Sequence, residues 1–239
     1  MPSSPQRVPR ALGVLAIAGA AIWTWTALPR IDHPMGSDWA QYFTVAEILW
    51  HDDPHLYPPF RKPFFGMLLG LVGEDLGYLN AAQILGRLSA VVTVLAAGVG
   101  AWALVGPLAG AVAAIAVVLM PLVMDGALWV NNYPVLGACC SVALGAGAAL
   151  SRWPRVHWAV LAGLGAGAAN AMDVRGLVVL PAVAALLAIG LPWGEWRRVV
   201  LLCVALATPV VGLSSYDSWL VRTHDVPQFS LQGQLRVQR

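Results

Sequence analysis

The chain has 239 residues, of which 59% are hydrophobic and 11% are charged, and its formal net charge is +2. Soluble domains are about 45–50% apolar and about 25% charged, so this composition argues against a water-soluble enzyme, a disordered chain and a nucleic-acid-binding protein. The three cysteines, at positions 139, 140 and 203, lie in apolar runs without a CxxC spacing, which indicates neither a disulfide framework nor a zinc site. The composition is that of a polytopic membrane protein.

Seven apolar runs are candidates for membrane spans, since a helix needs about 20 mostly apolar residues to cross the hydrocarbon core. They are Ala11–Leu28, Ala82–Val105, Leu108–Met124, Pro134–Leu150, His157–Met172, Gly176–Leu191 and Val199–Leu213. The fifth and sixth are joined through Asp173, Val174 and Arg175. Because two charges in mid-membrane are costly, this junction predicts a helical hairpin with its tip at the interface. The expected fold is an all-α membrane bundle of about seven transmembrane helices.

The orientation follows from the first run and from the basic loops. Trp23 and Trp25 near the end of the first run fit an interfacial belt better than a signal-peptide cleavage site, so we expect an uncleaved span. An inside N-terminus places these arginines in the cytoplasm: Arg7, Arg10, Arg152, Arg155, Arg197 and Arg198. We therefore expect a multi-pass protein of a prokaryotic cytoplasmic membrane, with a cytoplasmic segment 1–10, a transmembrane module 11–213 and a short outer tail 214–239.

The first outer loop, residues 30–80, contains seven of the twelve acidic residues. Within it, Ser37–Trp50 carries aromatic and apolar residues at three- and four-residue intervals, which predicts a helix lying in the membrane interface. Pro58 and Pro59 cannot lie inside a helix, and Phe64–Val72 is long enough to dip into the membrane but not to cross it. This loop is the most polar part of the chain.

Several polar residues permit both a structural and a chemical interpretation. Asp38 at the start of the interfacial helix can be its N-cap or a general base. Asn131 and Asn132 can cap the next helix or bind a sugar, and Asp125 is a second carboxylate in the same loop. Basic residues that can anchor lipid headgroups or bind a phosphate are Arg61, Lys62, Arg87 and Arg175. For Arg175 the simpler alternative is an ion pair with Asp173. The small-residue segment 163–171 indicates close helix packing.

The order of these features resembles the GT-C superfamily of membrane glycosyltransferases, especially the branch similar to protein O-mannosyltransferases and the lipid A aminoarabinose transferase. The motifs that carry the resemblance are DWAQY at Asp38–Tyr42, YPPFRKP at Tyr57–Pro63, GRLS at Gly86–Ser89 and the hairpin segment Gly163–Arg175. The resemblance covers roughly residues 10–215. Two positions depart from the family pattern: Trp39 replaces a second acidic residue, and amides precede Pro134 where family members often have an acid.

The resemblance implies inverting transfer of a sugar from a polyprenyl-phosphate-linked donor to an acceptor on the outer face of the membrane. Asp38 would be the general base, and Arg61, Lys62, Arg87 and Arg175 would bind the donor phosphate. Residues expected to contact the sugar or the acceptor are Tyr42, Tyr57, Asp125, Asn131 and Asn132. No metal ligand is assigned, no cofactor is firmly implied, and the need for a divalent metal stays open. The expected partners are the donor lipid and membrane lipids, with no nucleic acid.

Family members continue into further helices and an outer domain, so the resemblance also implies that a second polypeptide could supply those parts. Two alternatives to a glycosyltransferase stay open. The first is a non-catalytic or truncated subunit that binds a lipid-linked phosphate. The second is a transporter, against which the position of the charges at the membrane edges and the lack of a visible inverted repeat both argue.

Overall fold

The computed structural model describes residues 7–34, 39–51 and 63–223, which form ten α-helices and one short 3-10 helix. The helices are α1 (Arg7–Ala27), α2 (Trp39–His51), α3 (Pro63–Leu76), α4 (Tyr78–Leu104), α5 (Pro107–Val118), α6 (Pro121–Gly126), α7 (Tyr133–Arg152), α8 (Val156–Met172), α9 (Val179–Gly190) and α10 (Trp196–Thr223). The 3-10 helix, Val174–Val178, joins α8 to α9. The all-α membrane bundle predicted from the sequence is confirmed.

Four helices in the described part of the chain are long and apolar enough to cross a membrane. They are Val8–Ala27, Tyr78–Leu104, Tyr133–Arg152 and Trp196–Tyr216. The fifth predicted span forms α8, which has 17 residues and is therefore about 25 Å long. The other two predicted spans are shorter than expected, so the structure contains fewer full-length spanning helices than the seven apolar runs indicate.

The third predicted span, Leu108–Met124, is divided between two helices. The first of them, α5, ends at Val118, and Pro121 begins α6 at its first turn. Proline has no backbone N–H and its ring clashes with the preceding turn of a helix, so Pro121 is favoured in the first turn of a new helix, where it is found. The sixth predicted span, Gly176–Leu191, likewise begins with the 3-10 turn, and its regular helix α9 has only 12 residues.

Helices α2 and α3 pack against each other, and α3 packs on α4 of the bundle. The predicted Ser37–Trp50 helix is present as α2, but two residues of its aromatic face are buried in the protein: Tyr42 is 1% exposed and Ala46 is 0% exposed. They pack with Phe65 and Leu69 of α3 in one apolar cluster. The apolar face of α2, which the sequence predicted to contact lipid, therefore packs partly against α3. Packing against α3 removes this apolar surface from water, as contact with lipid would.

Small residues bring the helices of the bundle close together, as the segment 163–171 predicts. A Cβ atom at Gly163 would overlap the carbonyl oxygen of Leu206 in α10, and one at Gly165 would lie 2.7 Å from the carbonyl oxygen of Cys139 in α7. Only glycine permits these approaches, because any side chain would meet backbone atoms that cannot move aside. The contacts fix α8 between α7 and α10.

The helices give the bundle two ends with different chemistry. The end that carries α2 and α3 also holds the α6–α7 loop and the 3-10 turn, as cross-links from Tyr42 to Asn132 and from Asn132 to Met172 show. We call this the α2 end. The opposite end holds the α7–α8 and α9–α10 turns, which Arg198 joins through Pro154.

Candidate active site

The centre of the α2 end is a buried amide, Asn132, which is 5% exposed. Its side-chain oxygen accepts a hydrogen bond of 2.9 Å from the hydroxyl of Tyr42 in α2. Its amide nitrogen donates a bond of 3.1 Å to the backbone carbonyl of Met172, the last residue of α8. Buried polar groups need such partners, because each unsatisfied group loses its hydration without compensation. We call the two hydrogen bonds that join Tyr42, Asn132 and Met172 the amide latch, since they connect α2, the α6–α7 loop and α8.

Packing fixes the Tyr42 end of the amide latch. The ring of Tyr42 stands edge-on to Phe65 of α3, with centroids 4.9 Å apart and an interplanar angle of 90°. Leu69 and Met172 belong to the same buried cluster. An edge-to-face pair is the arrangement that the aromatic quadrupoles favour, and full burial leaves the ring little rotational freedom. Tyr42 and Asn132 were predicted to contact a sugar or acceptor; in the structure their polar atoms are used within the protein.

Arg175 lies next to the amide latch, on the 3-10 turn that follows Met172. Its backbone N–H donates 2.8 Å to the Asp173 carboxylate, and its Nε is 3.8 Å from the same oxygen. Its Nη1 is 3.5 Å from the hydroxyl of Tyr133, and the guanidinium carbon is 5.9 Å from the centre of that ring. The Asp173–Arg175 pair that the sequence offered as the simpler alternative is therefore present.

The ion pair with Asp173 does not prevent the Arg175 guanidinium from binding another anion. The Arg175 side chain is 62% exposed, so most of the side chain stays accessible. The hydrogen bond to Tyr133 raises the pKa of Arg175, and the Asp173 charge adds to the effect, so this side chain stays cationic. A planar guanidinium of this kind can bind a phosphate with two parallel hydrogen bonds. Tyr133 is adjacent to Asn132 in the chain, so the amide latch and Arg175 form one continuous arrangement.

A cavity of about 620 Å³ lies beside this arrangement, between α4, α6, the α6–α7 loop and α7. Its walls are mainly apolar, and its polar groups include Asp125, Asn131 and the hydroxyls of Ser89 and Thr93. Tyr133 lines the cavity as well, so the aromatic ring beside Arg175 is also part of the cavity wall. The volume is within the range typical of small-molecule sites.

Two further residues predicted to contact the sugar or the acceptor, Asp125 in α6 and Asn131 in the α6–α7 loop, differ in their environment. Asp125 is exposed at the cavity. Asn131 is 6% exposed, and its side-chain oxygen accepts the backbone N–H of Tyr133 at 2.9 Å. Because Tyr133 is the first residue of α7, Asn131 satisfies a free donor of that helix terminus, which is the capping role considered from the sequence.

Arg87 has a different environment from Arg175. Its Nη2 donates 2.9 Å to the carbonyl of Leu28 and 3.0 Å to that of Pro29, directly after α1. Its guanidinium carbon is 5.9 Å from the centre of the Trp25 ring. The cation thus binds carbonyls at the C-terminal end of a helix, where they have no intrahelical partner. These contacts give Arg87 a structural role in joining α1 to α4, and its predicted binding of a donor phosphate stays a prediction.

We expect Arg87→Gln to lower the free energy of unfolding by about 1–2 kcal/mol, because two charge-assisted hydrogen bonds are lost at a partly buried site. Chemical denaturation in detergent micelles would measure the change, with Arg87→Lys as a variant that keeps the charge. Unchanged stability of Arg87→Gln together with reduced affinity for polyprenyl phosphate would contradict the structural role and favour phosphate binding.

Four predicted site residues lie outside the described residues: Asp38, Tyr57, Arg61 and Lys62. Asp38 directly precedes Trp39, the first residue of α2, in the sequence.

Tyr133 belongs to the site although it was not among the residues predicted from the sequence. Its position next to Asn132, at the start of a predicted span, was the available signal. In the described ranges no group of three or more His, Cys, Asp or Glu side chains could hold a metal ion.

The chain was compared with protein-family models, curated proteins and solved structures. No family model and no curated protein matches. Among solved structures it is similar to the crystal structure of ArnT from Cupriavidus metallidurans bound to undecaprenyl phosphate, with a TM-score of 0.68 and 20% sequence identity. The match covers 92% of this chain and 44% of ArnT, so the chain spans less than half of that protein's length. The likeness establishes a shared fold.

Proposed function

We propose that this chain is the membrane module of a glycosyltransferase that moves a sugar from a polyprenyl-phosphate-linked donor to an acceptor at the outer face of the membrane. The observation that carries the proposal is the fold match over 92% of the chain to a protein bound to undecaprenyl phosphate. The exposed Arg175 beside the cavity supports it, since such a donor needs a cation for its phosphate.

In the proposed reaction an acceptor hydroxyl attacks the anomeric carbon of the donor sugar. The bond from this carbon to the phosphate oxygen breaks, the acceptor proton passes to the Asp38 carboxylate, and polyprenyl phosphate leaves as the anion. Arg175 stabilises the negative charge that develops on the leaving phosphate. Arg61 and Lys62 are proposed to bind the same phosphate, and Tyr57, Asp125 and Asn131 to contact the sugar or the acceptor.

The α2 end is proposed to face outward, in the cytoplasmic membrane of a prokaryote. Since the chain spans 44% of ArnT, we propose that further helices and an acceptor-binding part, in a second polypeptide or in a longer form of this chain, complete the enzyme. A subunit that binds lipid-linked phosphate without catalysing transfer would have the same fold, and a transfer assay separates the two functions.

The test is sugar transfer from radiolabelled polyprenyl-phosphate sugars in native membranes, which contain any completing polypeptide, with the wild-type chain and with Arg175→Gln. We expect Arg175→Gln to reduce kcat/KM by about 10- to 100-fold, because a charged hydrogen bond to the leaving phosphate is worth about 1.5–3 kcal/mol. Arg175→Lys should recover part of this loss. Arg30→Gln, which removes an exposed charge at the same end, is the control. Wild-type activity in Arg175→Gln would contradict the assignment of Arg175.

A further inference from the structure

The end of the bundle opposite α2 has a second set of charged residues that the proposed reaction does not use. Here the α7–α8 turn packs against the α9–α10 turn. The Nη2 of Arg198 donates 2.9 Å to the carbonyl of Pro154. A Cβ atom at Gly190 would overlap the Cα of Ser151, so the backbones are in direct contact. Buried Leu150 and Leu191 pack in one cluster behind the turns. The two turns therefore form one rigid surface.

We call this surface the arginine face and define it as residues 152–155 and 193–198. It has four arginines and a single carboxylate, Glu195. The Nη1 of Arg198 is 3.3 Å from a carboxylate oxygen of Glu195, and its Nη2 donates a hydrogen bond to the Pro154 carbonyl. The other three, Arg152, Arg155 and Arg197, are exposed, and within the described part of the chain none has a carboxylate at ion-pair distance. The arginine face therefore carries unbalanced positive charge.

Three tryptophans place the arginine face at the level of lipid headgroups. Trp153 is 38% exposed, and Trp193 and Trp196 are each 68% exposed. The guanidinium carbon of Arg197 lies 5.6 Å from the centre of the Trp196 ring. Exposed tryptophans at helix ends are typical of the boundary between the hydrocarbon core and the headgroups. Cations held at this depth are at the same level as lipid phosphates.

We propose that the arginine face is a binding site for anionic phospholipid headgroups. Arginines spread over independent loops would attract an anionic leaflet only diffusely. Here the Arg198–Pro154 bond and the contact of Gly190 with Ser151 hold three accessible guanidinium groups from two turns on one surface. Guanidinium groups form bidentate hydrogen bonds with phosphate oxygens, and the tryptophans cover the adjoining glycerol and acyl region. This proposal does not depend on the proposed glycosyltransferase activity.

The test is native mass spectrometry of the full chain in detergent with phosphatidylglycerol or phosphatidylcholine added. The wild-type chain is expected to retain phosphatidylglycerol in preference to phosphatidylcholine. Each exposed arginine contributes about a fivefold preference at an anionic surface. We therefore expect Arg155→Gln to lower the preference about fivefold, and Arg152→Gln, Arg155→Gln and Arg197→Gln together to lower it about 100-fold. Arg198 is kept, because it holds the turns together.

Arg30→Gln is the matched control for Arg155→Gln, since Arg30 is an exposed arginine at the α2 end. An equal loss of preference in Arg30→Gln would overturn the proposal, because it would show attraction by net charge alone. Displacement of phosphatidylglycerol by an equal concentration of inorganic phosphate would also overturn it, since the site would then bind a free anion. The proposal would also be contradicted if the triple variant, with an unchanged melting temperature, kept the wild-type preference for phosphatidylglycerol over phosphatidylcholine.

Discussion

Replacing Asp38 by asparagine is expected to lower kcat for sugar transfer by about 100- to 10,000-fold, the usual contribution of a general base. The amide has nearly the same shape as the carboxylate and cannot accept the acceptor's proton. Binding of the donor lipid should change less than about threefold, because the proposed phosphate contacts are made by basic residues. Transfer assays at saturating donor, together with lipid binding to the purified variant, would measure both quantities.

Asp32→Asn is the matched control for this prediction. Asp32 is exposed, belongs to the same polar segment and is six residues earlier in the chain, so the substitution removes the same charge without removing the proposed base. Full transfer activity in Asp38→Asn would leave the carboxylate only its alternative role as the N-cap of α2. In that case Asp38→Asn, which keeps a capping side-chain oxygen, would show little loss of stability, Asp38→Ala would lose about 0.5–2 kcal/mol, and neither variant would change the rate.

Replacing Asn132 by alanine is expected to lower the free energy of unfolding by about 2–4 kcal/mol, one of the largest effects available to a single side chain here. The truncation removes the acceptor of the Tyr42 hydroxyl and the donor to the Met172 carbonyl, both at buried positions. Each unsatisfied buried group costs about 1–3 kcal/mol. Thermal unfolding in detergent would show a fall in Tm of roughly 5–10 °C.

Two comparisons show whether the amide latch acts as a unit. Tyr42→Phe keeps the ring that packs on Phe65 and removes the hydroxyl, so its effect should be non-additive with that of Asn132→Ala. Ser214→Ala breaks a hydrogen bond of 2.9 Å from Asn170, between α8 and α10, and serves as the control for losing a side-chain bond between helices. A stability loss in Asn132→Ala no larger than in Ser214→Ala would contradict the importance of the amide latch.

The amide latch also bears on the proposed reaction. It holds α2, which directly follows Asp38 in the sequence, against the residues that adjoin Tyr133 and Arg175. We therefore expect Asn132→Ala to lower kcat as well, since the base and the phosphate-binding cation would lose a fixed relative position. Hydrogen exchange in residues 39–51 should increase in the same variant, which gives a measurement of the loosened α2 that does not depend on activity.

The helical elements could be predicted from local patterns to different degrees. The repeat of aromatic residues after Ser37 predicted α2 to within a few residues, because the helical period is a local property of the chain. The length of an apolar run was less informative about the length of the helix that it forms. Leu108–Met124 and Gly176–Leu191 are apolar enough to span, yet Pro121 divides the first between α5 and α6, and the 3-10 turn Val174–Val178 shortens the regular helix of the second.

The roles of the candidate site residues could not be separated from the sequence. Arg87 and Arg175 are both arginines at the edge of apolar runs, and both were predicted to bind phosphate. In the folded chain Arg87 meets the carbonyls of Leu28 and Pro29, whereas Arg175 stays exposed beside the cavity. The partners of Arg87 are more than fifty residues away in sequence, so no local pattern could indicate them.

The all-helical membrane bundle could be predicted without the structure, since composition is a property of the residues present and the length of an apolar run depends only on neighbours in the chain. The sequence also identified the segment 30–80 and the basic turns as the polar parts. Which polar residues are hydrogen-bonded within the protein and which stay accessible depends on how the helices pack. A hydrogen bond such as Tyr42 to Asn132 joins residues ninety positions apart, and its partners are set by how the helices pack.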